Sequence, residues 1–120
     1  SEIRLNDFDA VVFVGGPGCL DHLDNDDSYR VAENTAQRGK LLASICISPV
    51  ILAKAGVLEG KEATVWSSEM NKKGIKKIEE GGAKYKNEPV VKDGNLVTAF
   101  GPSAAKRFGK AILSTLTRAD

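Results

Sequence analysis

Residues 41–56 constrain the fold of this chain more than any other stretch. Residues 41–45 are nearly all apolar, as in a strand that is buried on both faces of a parallel sheet. Pro49 fits the first position of a helix, where its missing N–H costs nothing, and Gly56 fits the left-handed residue that ends one. The sequence therefore predicts a buried strand, a tight turn at Cys46 and a helix.

A cysteine at such a strand-to-helix turn is placed as a nucleophile would be. The turn raises the side chain above the sheet edge and requires small residues two positions to either side. Ser44 and Ser48 meet this requirement. A buried structural cysteine is the alternative, because free cysteines are often found inside proteins. The turn favours Cys46 as a functional, catalytic thiol.

Composition narrows the class of protein. The 120 residues suit one domain, residues 1–120, and 42% hydrophobic content suffices for an α/β core. The formal charge of +1 gives no attraction to nucleic acid or to an anionic membrane. No apolar run has the length of a membrane span, so we expect a cytoplasmic location. Two distant cysteines and one histidine make no ligand cluster, and no metal or other cofactor is expected.

A glycine-rich turn follows the first predicted strand, residues 8–14. Three of the four residues 15–18 are glycine, and such a turn lets backbone N–H groups point at a ligand or a developing negative charge. A plain strand-to-helix connection explains the glycines equally well. His22, the only histidine, follows this turn; a solvated or helix-capping role is favoured over a catalytic base.

Turn signals predict the remaining elements. Asp26 or Asp27 is expected to cap a helix that stops at Gly39, and Ser67 or Ser68 to cap another that Gly81-Gly82 ends. Asp93-Gly94 predicts a two-residue hairpin turn. The other predicted elements are a short strand over residues 63–66 and a last helix over residues 101–116.

Together these segments resemble the ThiJ/PfpI superfamily. The motifs that carry the resemblance are residues 9–18 (DAVVFVGGPG), 43–49 (ASICISP), 55–61 (AGVLEGK) with Ala63-Thr64, and 91–98 (VKDGNLVT) followed by Gly101-Pro102. The resemblance implies a flavodoxin-like three-layer α/β sandwich with a mostly parallel sheet. It places Cys46 at the sharp turn between the buried strand and the helix that follows it, which is called the elbow below. It also implies an oxyanion cradle built from the backbone of Gly15, Gly16 and Ile47.

Three departures from the family pattern qualify this resemblance. Ile47 stands where many members carry a histidine, and Trp66 stands where relatives show a histidine or tyrosine near the thiol. Neither side chain accepts a proton. The family's first strand, which ends near a glutamate that hydrogen-bonds the thiol, has no counterpart before residue 8. We expect the sequence to be the C-terminal part of a longer protein, or to be completed by another chain, and to form a homodimer or larger homo-oligomer.

Two functions remain open at this point. In the first, Cys46 attacks a carbonyl, either an amide as in peptide hydrolysis or a reactive aldehyde as in glyoxalase and deglycase chemistry. In the second, Cys46 is oxidised in a redox-sensing or chaperone-like protein, with Cys19 able to resolve a sulfenate. A glutaminase of the Cys-His-Glu kind is excluded, because no histidine follows Cys46.

Overall fold

Four strands form one sheet around the predicted buried strand in the computed structural model, which describes residues 10–14 and 25–117. In chain order the strands are β1 (Ala10–Val14), β2 (Leu41–Ile45), β3 (Glu62–Ala63), β4 (Lys84–Tyr85), β5 (Val90–Asp93) and β6 (Leu96–Ala99). The sheet has the order β1-β2-β6-β5, and only the β5–β6 pair is antiparallel. Strands β3 and β4 form a separate parallel pair. The predicted mostly parallel α/β sheet is confirmed.

Helices cover both faces of this sheet. They are α1 (Asp26–Gln37), α2 (Pro49–Lys54), α3 (Lys73–Glu80) and α4 (Ala105–Thr117), and a 3-10 turn (Pro102–Ala104) precedes the last. Helices α1, α2 and α3 contribute to one apolar cluster, whereas α4 packs against β2, β5 and β6 on the opposite face. The architecture is therefore three layers.

Strand β2 lies at the centre of both clusters, and all five of its residues are buried. Leu42 faces the cluster shared with α1, α2 and α3, while Leu41, Ala43 and Ile45 face α4. A strand with two buried faces must be apolar along its whole length, which is why residues 41–45 were predictable from composition.

The start of α1 differs from the prediction. Asn25, not Asp26 or Asp27, is the N-cap: its backbone is extended and its side-chain oxygen accepts the N–H of Ser28 at 2.9 Å. The two aspartates occupy the first turn, where carboxylates interact favourably with the helix dipole. The predicted end is confirmed, since Gly39 follows the helix with a φ of +68°.

The start of α3 also differs. Neither Ser67 nor Ser68 caps it, because the N-cap residue is Lys72, whose side chain makes no capping bond. The Ser68 hydroxyl accepts the N–H of Asn71 at 3.1 Å and so closes a separate turn. Asn71 in turn accepts the N–H of Lys73 through its side-chain oxygen at 3.1 Å. The serine hydroxyl is thus used before the helix begins.

The hairpin turn is displaced by one residue from the predicted Asp93-Gly94. Asp93 pairs with Leu96, so Gly94 and Asn95 are the central residues. Gly94 has a φ of +62°, as the first central residue of a type II′ turn requires. Asp93 instead ends β5, where its carboxylate accepts the N–H of Glu62 at 2.9 Å.

Strand β1 is an edge of the sheet in the described part of the chain. Phe13 is buried, but Val12 and Val14, on the side that α4 covers elsewhere, are 43% and 69% exposed. These two valines form an apolar surface at the end of β1.

Candidate active site

Cys46 has a left-handed backbone at the turn between β2 and α2. Its φ is +70°, and it is the only non-glycine residue with a positive φ in residues 10–14 and 25–117. A side chain in this region of φ/ψ space costs roughly 1–3 kcal/mol, so the surrounding structure must impose it. A strained strand-to-helix turn of this kind exposes the side chain at the top of an α/β sheet.

Two backbone hydrogen bonds hold Cys46 in place. Its N–H donates to the carbonyl of Ala99 at the end of β6, at 3.0 Å, and its own carbonyl accepts the N–H of Trp66 at 2.8 Å. Both partners are distant in sequence. The strained backbone is therefore fixed by the tertiary structure.

Buried hydroxyl groups lie directly beneath the turn. Ser44 and Ser48 are both fully buried, and their Oγ atoms are 2.5 Å apart. The Ser48 Oγ accepts the N–H of Ile45 at 3.1 Å and lies 2.9 Å from the carbonyl oxygen of Phe13 in β1. The tight turn requires only that these two residues be small. The hydrogen bonds of their hydroxyls are an additional feature of the site.

Cys46 and Ile47 face opposite layers. Cys46 is a free cysteine, half-buried, and packs against the cluster on the α4 side. Ile47 is half-buried and packs against the other cluster, where its Cδ1 lies so close to Gly74 that a Cβ at that residue would come within 3.1 Å of it. The Ile47 N–H makes no hydrogen bond to any residue that the structure describes.

Trp66 lies beside the elbow through its backbone bond to Cys46. Trp66 is half-buried, and a Cβ at Gly101, just after β6, would lie 3.7 Å from its Cδ1. The indole ring therefore lies close to Gly101.

The other predicted site residues, Gly15, Gly16, Cys19 and His22, lie outside the described residues. The described ranges contain no histidine. Within them, no group of three or more His, Cys, Asp or Glu residues could hold a metal ion, and no helix is long and apolar enough to cross a bilayer.

Cys46 has a strained backbone and lies between a parallel strand and a helix, in a sheet that is covered on both faces. This arrangement defines the class of α/β proteins with a nucleophile elbow. The profile of the DJ-1/PfpI family matches residues 1–115. The chain belongs to this family.

Three relatives illustrate the match. An uncharacterised protein from Methanocaldococcus jannaschii is 35% identical over 118 residues, which are 98% of this chain and 56% of that protein. A glutathione-independent glyoxalase from Caenorhabditis elegans is 26% identical, over 96% of this chain and 59% of that protein. A deglycase from Pyrococcus furiosus is 32% identical, over 84% of this chain and 58% of that protein. The chain thus spans somewhat more than half the length of these relatives.

Solved structures give the same family and fold. A ThiJ/PfpI domain protein from Brachyspira murdochii superposes with a TM-score of 0.91 at 34% identity, covering 99% of this chain and 66% of that chain. Drosophila melanogaster DJ-1beta superposes with a TM-score of 0.79 at 32% identity, covering 91% of this chain and 56% of that chain. The predicted flavodoxin-like fold is confirmed.

Proposed function

We propose that this chain carries the nucleophile of a cysteine-dependent enzyme of the glyoxalase or deglycase type. The observation that carries the proposal is the left-handed backbone of Cys46, with a φ of +70°. Strain of this size at a non-glycine residue persists where function requires it, and it clusters at active sites. Relatives named glyoxalase and deglycase support the same chemistry.

In the proposed reaction the Cys46 thiolate adds to an aldehyde carbon and forms a hemithioacetal oxyanion. The Ile47 N–H has no hydrogen-bond acceptor among the described residues. In the proposed reaction it donates to this oxygen, together with the backbone N–H groups of Gly15 and Gly16. For methylglyoxal, a proton then moves from the former aldehyde carbon to the neighbouring carbon and gives a lactoyl thioester, which water hydrolyses to lactate and the free thiol; the net reaction adds one water. Ile47 and Trp66 cannot take the proton that moves between the two carbons, so we assign that step to a carboxylate outside the described residues.

The test is to modify Cys46 in stages in the purified protein. The protein is treated with iodoacetamide for increasing times, and lactate formation from methylglyoxal is measured beside the peptide masses that report modification of Cys46 and Cys19. We expect activity to fall in proportion to the modified fraction of Cys46, by at least about 100-fold at completion. Full modification of Cys46 with turnover intact would exclude the proposal.

A redox-sensing function is the second candidate, and the half-buried free thiol of Cys46 favours it. Such a thiol is open to peroxide, and sulfinate formation adds two oxygen atoms whereas a disulfide with Cys19 removes two hydrogens. Intact mass after peroxide treatment of the same protein distinguishes these products. Absence of turnover together with stoichiometric oxidation of Cys46 would favour this candidate over the enzyme.

We also propose that the exposed apolar surface of Val12 and Val14 is covered in the natural protein, by further chain or by a second copy. Edge strands with exposed apolar residues invite pairing and aggregation. Native mass spectrometry is expected to show a species heavier than the 12.8 kDa of this sequence. A 12.8 kDa monomer that unfolds cooperatively would contradict this proposal.

A further inference from the structure

Gly74 lies in the first turn of helix α3 and is buried against the segment that holds the elbow. A Cβ atom at this position would lie 3.0 Å from the Trp66 carbonyl oxygen, 3.1 Å from the Ile47 Cδ1 and 3.2 Å from the Val65 Cγ2. Non-bonded carbon atoms prefer separations of about 3.5–4.0 Å, so a side chain at this residue has no room. Helix α3 therefore approaches the elbow this closely only because residue 74 has no side chain.

Backbone conformation gives no other reason for a glycine at this position. The φ of Gly74 is not positive, in contrast to those of Gly39 and Gly94, so an alanine would adopt the same helical backbone without strain. Glycine also lowers the stability of a helix relative to alanine. The close contact with the elbow segment is therefore the feature that requires glycine here.

The nearest of the three neighbouring atoms is also the least free to move. The Ile47 Cδ1 and the Val65 Cγ2 belong to side chains, which can adjust by small rotations about their torsion angles. The Trp66 oxygen belongs to the backbone and moves only with the rest of that residue. The N–H of the same residue donates to the Cys46 carbonyl at 2.8 Å. The contact at Gly74 thus acts on the residue whose hydrogen bond fixes the strained elbow.

Helix α3 is too tightly packed to relieve such a contact by moving away. Ile78, one turn further along, is fully buried in the cluster that α3 shares with α2. At the far end of the helix, a Cβ at Gly81 would lie 2.8 Å from the Ala53 Cβ in α2. Moving the helix outward would open gaps at both places, and cavities of this kind are destabilising. A methyl group at residue 74 would therefore displace the Trp66 backbone, by roughly 0.5 Å.

We propose that Gly74 is a positioning residue for Cys46. It lets α3 lie against the Trp66 backbone, and this contact keeps the Trp66 N–H on the Cys46 carbonyl. The inference rests on the proposed function of Cys46. Gly74 acts through residue 66 and does not touch the reacting atoms. A displacement of about 1 Å at a reacting group can cost about 100-fold in rate, so a displacement of roughly 0.5 Å should cost about 10-fold.

Three glycine-to-alanine variants of the purified protein test this role. Gly74→Ala introduces the contact with the Trp66 oxygen, and Gly81→Ala introduces an even closer contact with Ala53 at the other end of the same helix. Gly109→Ala adds a methyl group in α4, where no other described part of the chain lies within 4 Å of the new Cβ. For Gly74→Ala we expect kcat for methylglyoxal to fall by about 10-fold. The other two variants should stay within about twofold of the parent.

Amide hydrogen exchange separates positioning from a general loss of stability. The N–H groups of Trp66 and Leu42 both donate backbone hydrogen bonds of 2.8 Å, the first to the elbow and the second to the turn between β5 and β6. Global unfolding speeds exchange at both amides, whereas a local opening at residue 66 speeds only one. The ratio of the Trp66 rate to the Leu42 rate, measured by NMR, should rise at least about fivefold in Gly74→Ala and stay unchanged in Gly81→Ala.

Several outcomes would overturn the inference. An unchanged kcat or an unchanged exchange ratio in Gly74→Ala would do so, as would an equal loss of kcat in Gly81→Ala, because reduced stability would then explain both. If Gly74→Ala does not fold, exchange in the parent decides. Opening of α3 must then free the Trp66 amide, so stronger protection of that amide than of the Ile78 amide in α3 would exclude the role. Absence of turnover in the parent refutes the proposed function instead, and the exchange ratio then tests the contact alone.

Discussion

A Cys46→Gly variant is expected to be inactive and yet more stable than the matching Cys46→Ala variant. Both lose the thiol, and under the function proposed above removal of this nucleophile lowers turnover by at least about 1,000-fold. They differ in backbone freedom, because glycine adopts a φ of +70° without steric cost whereas alanine does not.

Two opposing effects determine how much the free energy of unfolding differs between the glycine and alanine variants. Relief of left-handed strain stabilises the glycine variant by roughly 1–3 kcal/mol. The greater freedom of glycine in the unfolded chain opposes this by about 0.4–1 kcal/mol. We therefore expect the free energy of unfolding of Cys46→Gly to exceed that of Cys46→Ala by about 1 kcal/mol. Urea titration followed by the fluorescence of Trp66, the only tryptophan, measures it.

Ala36→Gly is the matched control, because Ala36 is exposed in the last turn of helix α1 and its φ is not positive. There the same change of alanine to glycine should lower the free energy of unfolding by about 0.5–1 kcal/mol. If glycine lowered the free energy of unfolding relative to alanine by the same amount at position 46 as at position 36, the backbone of Cys46 would not be strained. That result would remove the main support for its proposed role.

A Leu52→Ala variant is expected to lose about 3–4 kcal/mol of stability. Leu52 lies in α2, directly behind the elbow, and is 0% exposed within the cluster on that face. Truncation removes apolar contacts and leaves a cavity that the packed neighbours fill only partly. A loss of this size is a large fraction of the stability of a typical domain.

Leu113→Ala provides the comparison, since Leu113 is also helical but 64% exposed. Its free energy of unfolding should change by no more than about 0.5 kcal/mol. Both values come from the same urea titration. Equal losses in the two variants would mean that α2 is not packed as described.

The elbow could be predicted because its signals are local. An apolar strand, a proline that begins a helix and a glycine that ends one are all read within residues 41–56. The structure confirms Pro49 at the start of α2 and Gly56 after its end with a φ of +83°.

Helix caps were less predictable, because several polar residues compete for one position. Asn25, Asp26 and Asp27 can all accept a hydrogen bond from a backbone N–H. The choice depends on which residue has the extended backbone, with a φ of −150° at Asn25. At Ser68 the hydroxyl was taken by a nearby turn.

The supports of the site could not be predicted from local patterns. The spacing of Ser44 and Ser48 about the cysteine was visible in the sequence, but the link to Phe13 depends on strand register. The backbone bond from Trp66 to Cys46 likewise joins segments that are distant along the chain. Sequence patterns located the thiol, and tertiary contacts determine how it is held.

The bond between the Cys46 N–H and the Ala99 carbonyl also has a consequence for folding. Parallel pairing of β2 with β6 joins residues separated by almost half of the chain, and such long-range pairing forms slowly. During synthesis the cysteine emerges well before β6, so its thiol is exposed while the turn is still unstrained. The left-handed backbone of Cys46 is thus acquired late, when the C-terminal half docks.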